Sequence, residues 1–76
     1  MNEQLEQVVD EYSTHLLRIA YFYTKNRHAA EDIVQEVFTK YFCGFHLPLS
    51  GDQEKGWFVR VTINQCHDAL RKRSYR

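Results

Sequence analysis

The sequence predicts an all-α fold, a compact bundle of three main helices with one loop of about ten residues before the last helix. Two observations lead to this class. Pro48 and two of the three glycines fall within residues 43–51, so most of the helix-breaking residues lie in one segment. Elsewhere, apolar residues recur at the spacing of a helix. A length of 76 residues allows one domain with a small core.

The first two helices are each predicted from an apolar face. The first covers residues 3–23, and its apolar side is formed by Leu5, Val8, Val9, Tyr12, Leu16, Ile19, Ala20 and Tyr23. The second covers residues 27–42 after Asn26 as the N-cap, and its apolar arc is formed by Ala29, Ala30, Ile33, Val34, Val37, Phe38 and Tyr41. These two faces are expected to supply most of the core.

The third helix is predicted over residues 52–74, after the loop at 43–51, with Ser50 or Asp52 as its cap. Its expected apolar stripe is Val59, Ile63, Cys66 and Leu70, with Thr62 and Ala69 beside it. Trp57 lies well over a right angle from Val59 and Ile63 on a helical wheel. We therefore expect its indole near the surface or under the preceding loop.

The charges of the chain are balanced in number but uneven in distribution. Residues 1–54 hold four basic and nine acidic side chains, whereas residues 55–76 hold six basic and one acidic. On the second helix, an acidic and hydrogen-bonding stripe lies opposite the apolar arc and consists of Asp32, Gln35, Glu36 and Thr39. The pattern alone leaves two interpretations open, a solvated face or a docking surface for a basic partner.

The third helix carries a second polar face. Arg60, Asn64, His67 and Arg71 recur at i, i+4, i+7 and i+11, Lys72 and Arg73 follow them, and Trp57 and Val61 lie alongside. Basic side chains combined with an amide and an aromatic ring are typical of a nucleic-acid contact, in which cations hold phosphates and rings stack on bases. The alternative is a helix end whose cations serve solubility and the helix dipole.

The sequence favours neither catalysis nor a cofactor. It has no glycine-rich phosphate loop and no HExxH motif, so we expect no enzyme and no small-molecule substrate. Cys43, His46, Cys66 and His67 include the side chains that zinc sites use. However, neighbouring helical residues point about 100° apart, so Cys66 and His67 do not easily face one ion and no metal site is expected.

The sequence also bears on localisation. It has no secretory signal and no apolar run long enough to cross a membrane. We therefore expect a cytoplasmic protein with reduced cysteines and no membrane partner.

Two sequence blocks resemble a known family. The first is Ala30-Glu-Asp-Ile-Val-Gln-Glu-Val-Phe38, and the second is the later pattern of Trp57, Asn64, Asp68, Leu70 and Arg71. Together, in this order and at this separation, they resemble region 2 of bacterial RNA polymerase sigma factors of the extracytoplasmic-function (ECF) type. The resemblance covers about residues 12–74.

The resemblance implies three sets of site residues. The first block of the family docks on the clamp helices of the largest subunit of core RNA polymerase, which implies polymerase binding by Asp32, Gln35 and Glu36, with Thr39 on the same stripe. The last helix meets the promoter −10 element and helps to open it, which implies DNA binding by Trp57, Arg60, Val61, Asn64 and Arg71, continued by His67, Lys72 and Arg73. The preceding loop captures an extruded base, which implies a role for Phe45, His46 and Ser50.

The resemblance also implies a domain organisation and partners. Residues 1–76 correspond to region 2, and a complete factor of this type carries a further region 4, so we expect the chain to be one domain of a longer factor. Core RNA polymerase and promoter DNA are the expected partners, and an anti-sigma factor is a further candidate. The alternatives are a helical protein-interaction module and an independent DNA-binding transcriptional regulator. The long third helix and the acidic stripe argue against the independent regulator.

Overall fold

The computed structural model describes residues 2–43 and 51–74, with side chains described over 6–43 and 51–72. It contains α1 (Asn2–Thr24), α2 (Arg27–Phe42) and α3 (Gly51–Ser74), and no strand occurs in the described residues. The all-α class and the three-helix bundle are confirmed. None of the helices in this part of the chain is both long and apolar enough to cross a membrane.

Asn26 is the N-cap of α2, as predicted. Its side-chain Oδ1 accepts a hydrogen bond from the backbone N–H of Ala29 at 2.9 Å, which satisfies one of the unpaired donors of the first turn. Thr24 closes the preceding turn, because its hydroxyl donates to the Ala20 carbonyl at 2.9 Å. The connection between α1 and α2 consists of residues 25–26, and the side chains of Thr24 and Asn26 hold it to the two helices.

Lys25, which directly follows α1, has an unusual backbone conformation. Its φ is 56°, in the left-handed region, and its backbone N–H donates to the Tyr21 carbonyl at 2.8 Å. Glycine is the usual residue at this position of a helix end, because a Cβ there costs about 1–2 kcal/mol. The sequence thus places a cation where a glycine would be less strained.

The core lies along the line where the three helices meet. On α1 the buried apolar residues are Tyr12, Leu16 and Ala20, and on α2 they are Ala30, Ile33, Val34, Val37 and Phe38. Residues packed against this core from α1 and α2 include Val8, Val9, Leu17, Ile19, Tyr23 and Tyr41. The predicted apolar faces of α1 and α2 are therefore confirmed where their side chains are described, apart from Ala29, which is half-buried and is not among the residues packed against this core.

The predicted apolar stripe of α3 is wrong in its centre. Phe58, Thr62 and Cys66 are fully buried, at i, i+4 and i+8, whereas Val59 and Ile63 are half-buried. Phe58 faces inward because its ring enters an aromatic cluster, with centroid distances of 4.7 Å to Tyr12, 5.3 Å to Phe38 and 4.7 Å to Tyr41. Burying this ring removes more apolar surface from water than burying Val59 would.

The start of α3 differs from the prediction as well. Asp52 lies within the first turn of the helix, so it is not the N-cap. As an acidic residue there it favourably opposes the helix dipole. Ser50, the other predicted cap, lies with the rest of the loop outside the described residues.

Candidate nucleic-acid interface

The outward face of α3 presents the predicted basic and amide side chains together. Arg60, Asn64, His67, Arg71 and Lys72 are all exposed, and the side chain of Arg73 lies outside the described residues. Arg71 forms an i, i+3 ion pair with Asp68 in which both side chains are at least half exposed. An exposed pair of this kind contributes little to stability, so the Arg71 guanidinium can exchange Asp68 for a phosphate. We call the five exposed residues Arg60, Asn64, His67, Arg71 and Lys72 the α3 face.

A shallow groove of about 340 Å³ runs beside the α3 face, between α3 and α2. Three of its lining residues were predicted to bind DNA, namely Trp57, Val61 and Asn64. The groove also includes Lys40 of α2, together with Gln65 and Asp68 of α3. The structure thus places a cation, an amide and an aromatic ring along one depression.

Trp57 is held by aromatic neighbours at the edge of this groove. It is half-buried, with ring centroids 5.5 Å from Tyr41 and 5.2 Å from Phe58. The expectation of an indole near the surface fits this position only in part, because one side of the residue packs against the core. An indole fixed in this way forms a rigid surface on which an unpaired base can stack.

Gln65 joins α3 to the acidic stripe of α2. Its Nε2 donates to the carboxylate of Glu36, and its Oε1 accepts from Lys40 Nζ at 3.1 Å. One residue expected to bind polymerase is therefore linked to the groove that contains Trp57 and Asn64.

The four residues of the α2 stripe (Asp32, Gln35, Glu36 and Thr39) are exposed along one side of the helix. The Thr39 hydroxyl donates to the Gln35 carbonyl at 2.9 Å, so Thr39 is bound to its own helix. The stripe is therefore accessible, and its two acidic side chains, Asp32 and Glu36, lie four residues apart on the same side of the helix.

Glu54 fixes the start of α3 to both other helices. Its two carboxylate oxygens accept hydrogen bonds from the hydroxyl of Tyr12 on α1, at 3.1 Å, and from the hydroxyl of Tyr41 on α2. Burial, followed by the hydrogen bond to Glu54 and its negative charge, raises the pKa of Tyr12 and of Tyr41 to about 12. Because Trp57 follows Glu54 by three residues, this clamp also positions the indole.

Some predicted residues have no structural description. Phe45, His46 and Ser50, the candidates for holding an extruded base, lie outside the described residues. Of the cysteines considered as zinc ligands, Cys43 is exposed and Cys66 is fully buried, and burial raises the pKa of the Cys66 thiol. Residues 6–43 and 51–72 contain no group of three side chains arranged to hold a metal ion.

Lys40, Glu54 and Gln65 were missed by sequence reasoning. Each acts across a helix interface, and the sequence does not show how the helices are rotated against one another. Glu36 and Lys40 do lie four residues apart on the same flank of α2, and this spacing is the one signal that could have grouped them.

Comparison with known proteins assigns the family. The model of the Sigma-70 region 2 family matches residues 8–76. The ECF RNA polymerase sigma factor SigE of Mycolicibacterium smegmatis is 34% identical over 68 residues, which cover 90% of this chain and 26% of that protein. The ECF RNA polymerase sigma factor SigX of Bacillus subtilis is 25% identical over 72 residues, which cover 95% of this chain and 37% of that protein.

No solved structure is significantly similar to the chain. The chain spans roughly a quarter to a third of the length of the two curated relatives. The family match nevertheless includes all of α2 and α3, and both relatives are of the type that the two sequence blocks predicted. The chain therefore belongs to the Sigma-70 region 2 family and is similar to ECF sigma factors.

Proposed function

We propose that this domain docks on core RNA polymerase through the α2 stripe and uses the α3 face to recognise and help melt the promoter −10 element. The observation that carries the proposal is the groove in which Trp57, Val61 and Asn64 lie together, beside the exposed Arg60 and His67. The family assignment and the names of the two relatives, both RNA polymerase sigma factors, support it. The domain acts in the cytoplasm and is not an enzyme.

The first contact with DNA is electrostatic. Arg60, Arg71 and Lys72 approach the phosphates of the duplex, and the release of condensed counterions drives binding. Each phosphate neutralised adds about 0.9 to the slope of log affinity against log salt concentration on duplex DNA. DNA affinity is therefore expected to fall steeply with salt.

The groove between α2 and α3 is where the promoter bases are separated in this proposal. Separating a base from its neighbours costs a few kcal/mol, and an aromatic platform returns about 1–3 kcal/mol for each base that stacks on it. Trp57 is such a platform, and it is held in place by Tyr41 and Phe58 before DNA arrives. Asn64, in the same groove, offers a donor and an acceptor to a base edge. Phe45, His46 and Ser50 remain candidates for holding the extruded base.

Docking follows from the acidic stripe. Asp32 and Glu36 present two carboxylates on an exposed helix side, and Gln35 adds an amide between them. Such a surface suits a basic, hydrogen-bonding partner. In the family that the sequence resembles, that partner is the pair of clamp helices of the polymerase. An anti-sigma factor is a further proposed partner.

A matched pair of double variants tests the docking surface. Asp32→Arg with Gln35→Arg reverses the charge of the stripe and leaves the contact between Glu36 and Gln65 in place. The control, Gln7→Arg with Asp10→Arg, makes the same residue changes at the same spacing on the exposed side of α1. We expect only the first variant to lose capture of core RNA polymerase, with both remaining helical by circular dichroism. Equal capture by the two variants would contradict the proposed docking surface.

The two alternative functions, a helical interaction module and an independent regulator, predict different DNA binding. A helical interaction module would show no DNA affinity beyond weak nonspecific binding, and its retention on single-stranded DNA would not depend on the α3 face. An independent regulator would bind a duplex operator without polymerase. We expect instead that promoter opening requires core polymerase together with this domain.

A further inference from the structure

A second surface with exposed aromatic rings and cations lies at the end of α1. Tyr21 is 51% exposed and Phe22 is 65% exposed, and they are the exposed large hydrophobic residues of the part of the chain that the structure describes. They line an open groove of about 580 Å³ together with Arg18 and Lys25. We call these four residues the α1 patch. The mechanism proposed above does not use it.

The charge of the α1 patch stands out against its surroundings. Residues 1–54 hold only four basic side chains, and three of them, Arg18, Lys25 and Arg27, line this groove. Arg27 is paired with Glu31 at 3.2 Å on its own helix. Arg18 and Lys25 are exposed. A ligand of the patch must therefore be anionic and able to contact aromatic rings.

Lys25 gives an independent sign that the patch has a role. Its backbone is in the left-handed conformation that favours glycine, yet the residue is a lysine. Its Nζ lies 4.9 Å from the centroid of the Phe22 ring, a cation–π distance. Residues with a strained backbone conformation cluster at functional sites in proteins.

The α1 patch is continuous with the α3 face. The ring of His67 on α3 meets Tyr23 edge-on at 5.4 Å, and Tyr23 meets Phe22 edge-on at 5.4 Å. The contacts therefore run from a residue of the α3 face to the cation over Phe22 without a break. Tyr23 thus connects the C-terminal half of α3 to the α1 patch.

We propose that the α1 patch is a second DNA contact, which binds a single-stranded segment continuing from the α3 face. Arg18 and Lys25 hold its phosphates, and Phe22 and Tyr21 stack on its bases. This inference rests on the proposed function of the α3 face. Single-stranded DNA matches the patch because it offers phosphates and unstacked base faces together, whereas in a duplex the base faces are covered by their neighbours.

The test is a binding titration of the chain with a fluorescent single-stranded DNA oligonucleotide and with the duplex of the same sequence, over a range of salt concentrations. Phe22→Leu removes the ring and keeps an apolar side chain, and Lys25→Gly removes the cation and relieves the backbone. Lys55→Gln is the matched control, since it removes one exposed cation near the start of α3. Trp57→Ala reports on the groove beside the α3 face, and melting temperatures are measured for every variant.

We expect Phe22→Leu to weaken single-strand binding at least about fivefold, which corresponds to the loss of about 1 kcal/mol of stacking. We expect Lys25→Gly to make the salt slope shallower by about 0.7, equivalent to one phosphate contact on a single strand. Lys25→Gly should not lower the melting temperature, so a loss of affinity cannot be due to unfolding. Lys55→Gln should bind like the unsubstituted chain.

Four results would overturn the inference. If Phe22→Leu and Lys25→Gly bind normally while Trp57→Ala does not, the α3 face stands and the α1 patch is not a DNA contact. If the unsubstituted chain binds no DNA, both proposals fail. If both variants lose affinity equally for duplex and for single-stranded DNA, the patch contacts phosphates without stacking on bases. Unchanged DNA affinity with weakened capture of core polymerase shows that the patch binds protein.

Discussion

The side-chain amide of Gln65 on α3 donates a hydrogen bond to the carboxylate of Glu36 on α2. The same side chain accepts a hydrogen bond from Lys40 Nζ at 3.1 Å. The helix proposed to dock on polymerase and the helix proposed to bind DNA are thus joined by one polar bridge on the surface.

We predict that Gln65→Ala lowers the free energy of unfolding by only about 0.5–1.5 kcal/mol, the net value of a typical hydrogen bond. The bridge is solvent-accessible, so water replaces the lost partner. Chemical denaturation monitored by circular dichroism measures the change. Gln7→Ala, at an exposed position on α1, is the control and should leave stability unchanged. A loss of several kcal/mol for Gln65→Ala would show that the bridge belongs to the core.

Phe58→Ala should be far more destabilising than Val59→Ala. Phe58 is fully buried among Tyr12, Phe38 and Tyr41, and removing such a ring costs about 3–5 kcal/mol. Val59 is half-buried, and we expect its truncation to cost less than about 1.5 kcal/mol. Equilibrium denaturation of the two variants compares them directly. A larger destabilisation by Val59→Ala than by Phe58→Ala would show that the buried stripe is the one predicted from the sequence.

Alkaline titration should reveal two late tyrosines. The pKa of Tyr12 and of Tyr41 is raised to about 12 from an ordinary value of 10, so the folded state favours the neutral phenol. The resulting stability is complete below about pH 10 and is lost as the pH rises toward 12. Absorbance of the phenolate should show two groups titrating near pH 12, and each of Tyr12→Phe and Tyr41→Phe should remove one. Titration of both near pH 10 would disprove the clamp at Glu54.

Thr62→Val should not destabilise the fold. Thr62 is fully buried, and within the described part of the chain its hydroxyl oxygen has no hydrogen-bond partner. Replacing an unsatisfied hydroxyl by a methyl group of similar shape removes a desolvation penalty of about 1–3 kcal/mol. We expect an unchanged or higher melting temperature by differential scanning calorimetry. A clear decrease would mean that the hydroxyl is bonded in solution.

Features that depend on local sequence were predictable. The apolar faces of α1 and α2 follow from residue spacing alone, and the cap at Asn26 is a contact within four residues. The exposure of the α2 stripe and the α3 face follows from the same wheels. Whether these surfaces bind polymerase and DNA depends on partners, and it remains a prediction.

Features that depend on the rotation of one helix against another were not predictable. Two neighbouring lines on α3 are both rich in apolar residues, and the choice between Phe58 and Val59 is made by the rings of α1 and α2. Thr62 is polar but fully buried, so a search for apolar residues does not place it at the centre of the buried face of α3. The partners of Gln65 and Glu54 come from other helices, 13 to 42 residues away in the chain.

Promoter opening by this domain depends on Trp57, the proposed stacking platform beside Asn64 in the groove between α2 and α3. Its most direct test is permanganate reactivity of promoter thymines in complexes with core RNA polymerase and the Trp57→Ala variant, at a temperature where the variant is folded. Trp57→Phe, which keeps an aromatic ring, is the matched control. We expect Trp57→Ala to lose thymine reactivity about fivefold or more, in proportion to about 1–3 kcal/mol of stacking, while closed-complex affinity stays nearly unchanged and Trp57→Phe retains most of the reactivity. Reactivity of Trp57→Ala equal to that of the unsubstituted chain would show that the indole has no part in opening the promoter.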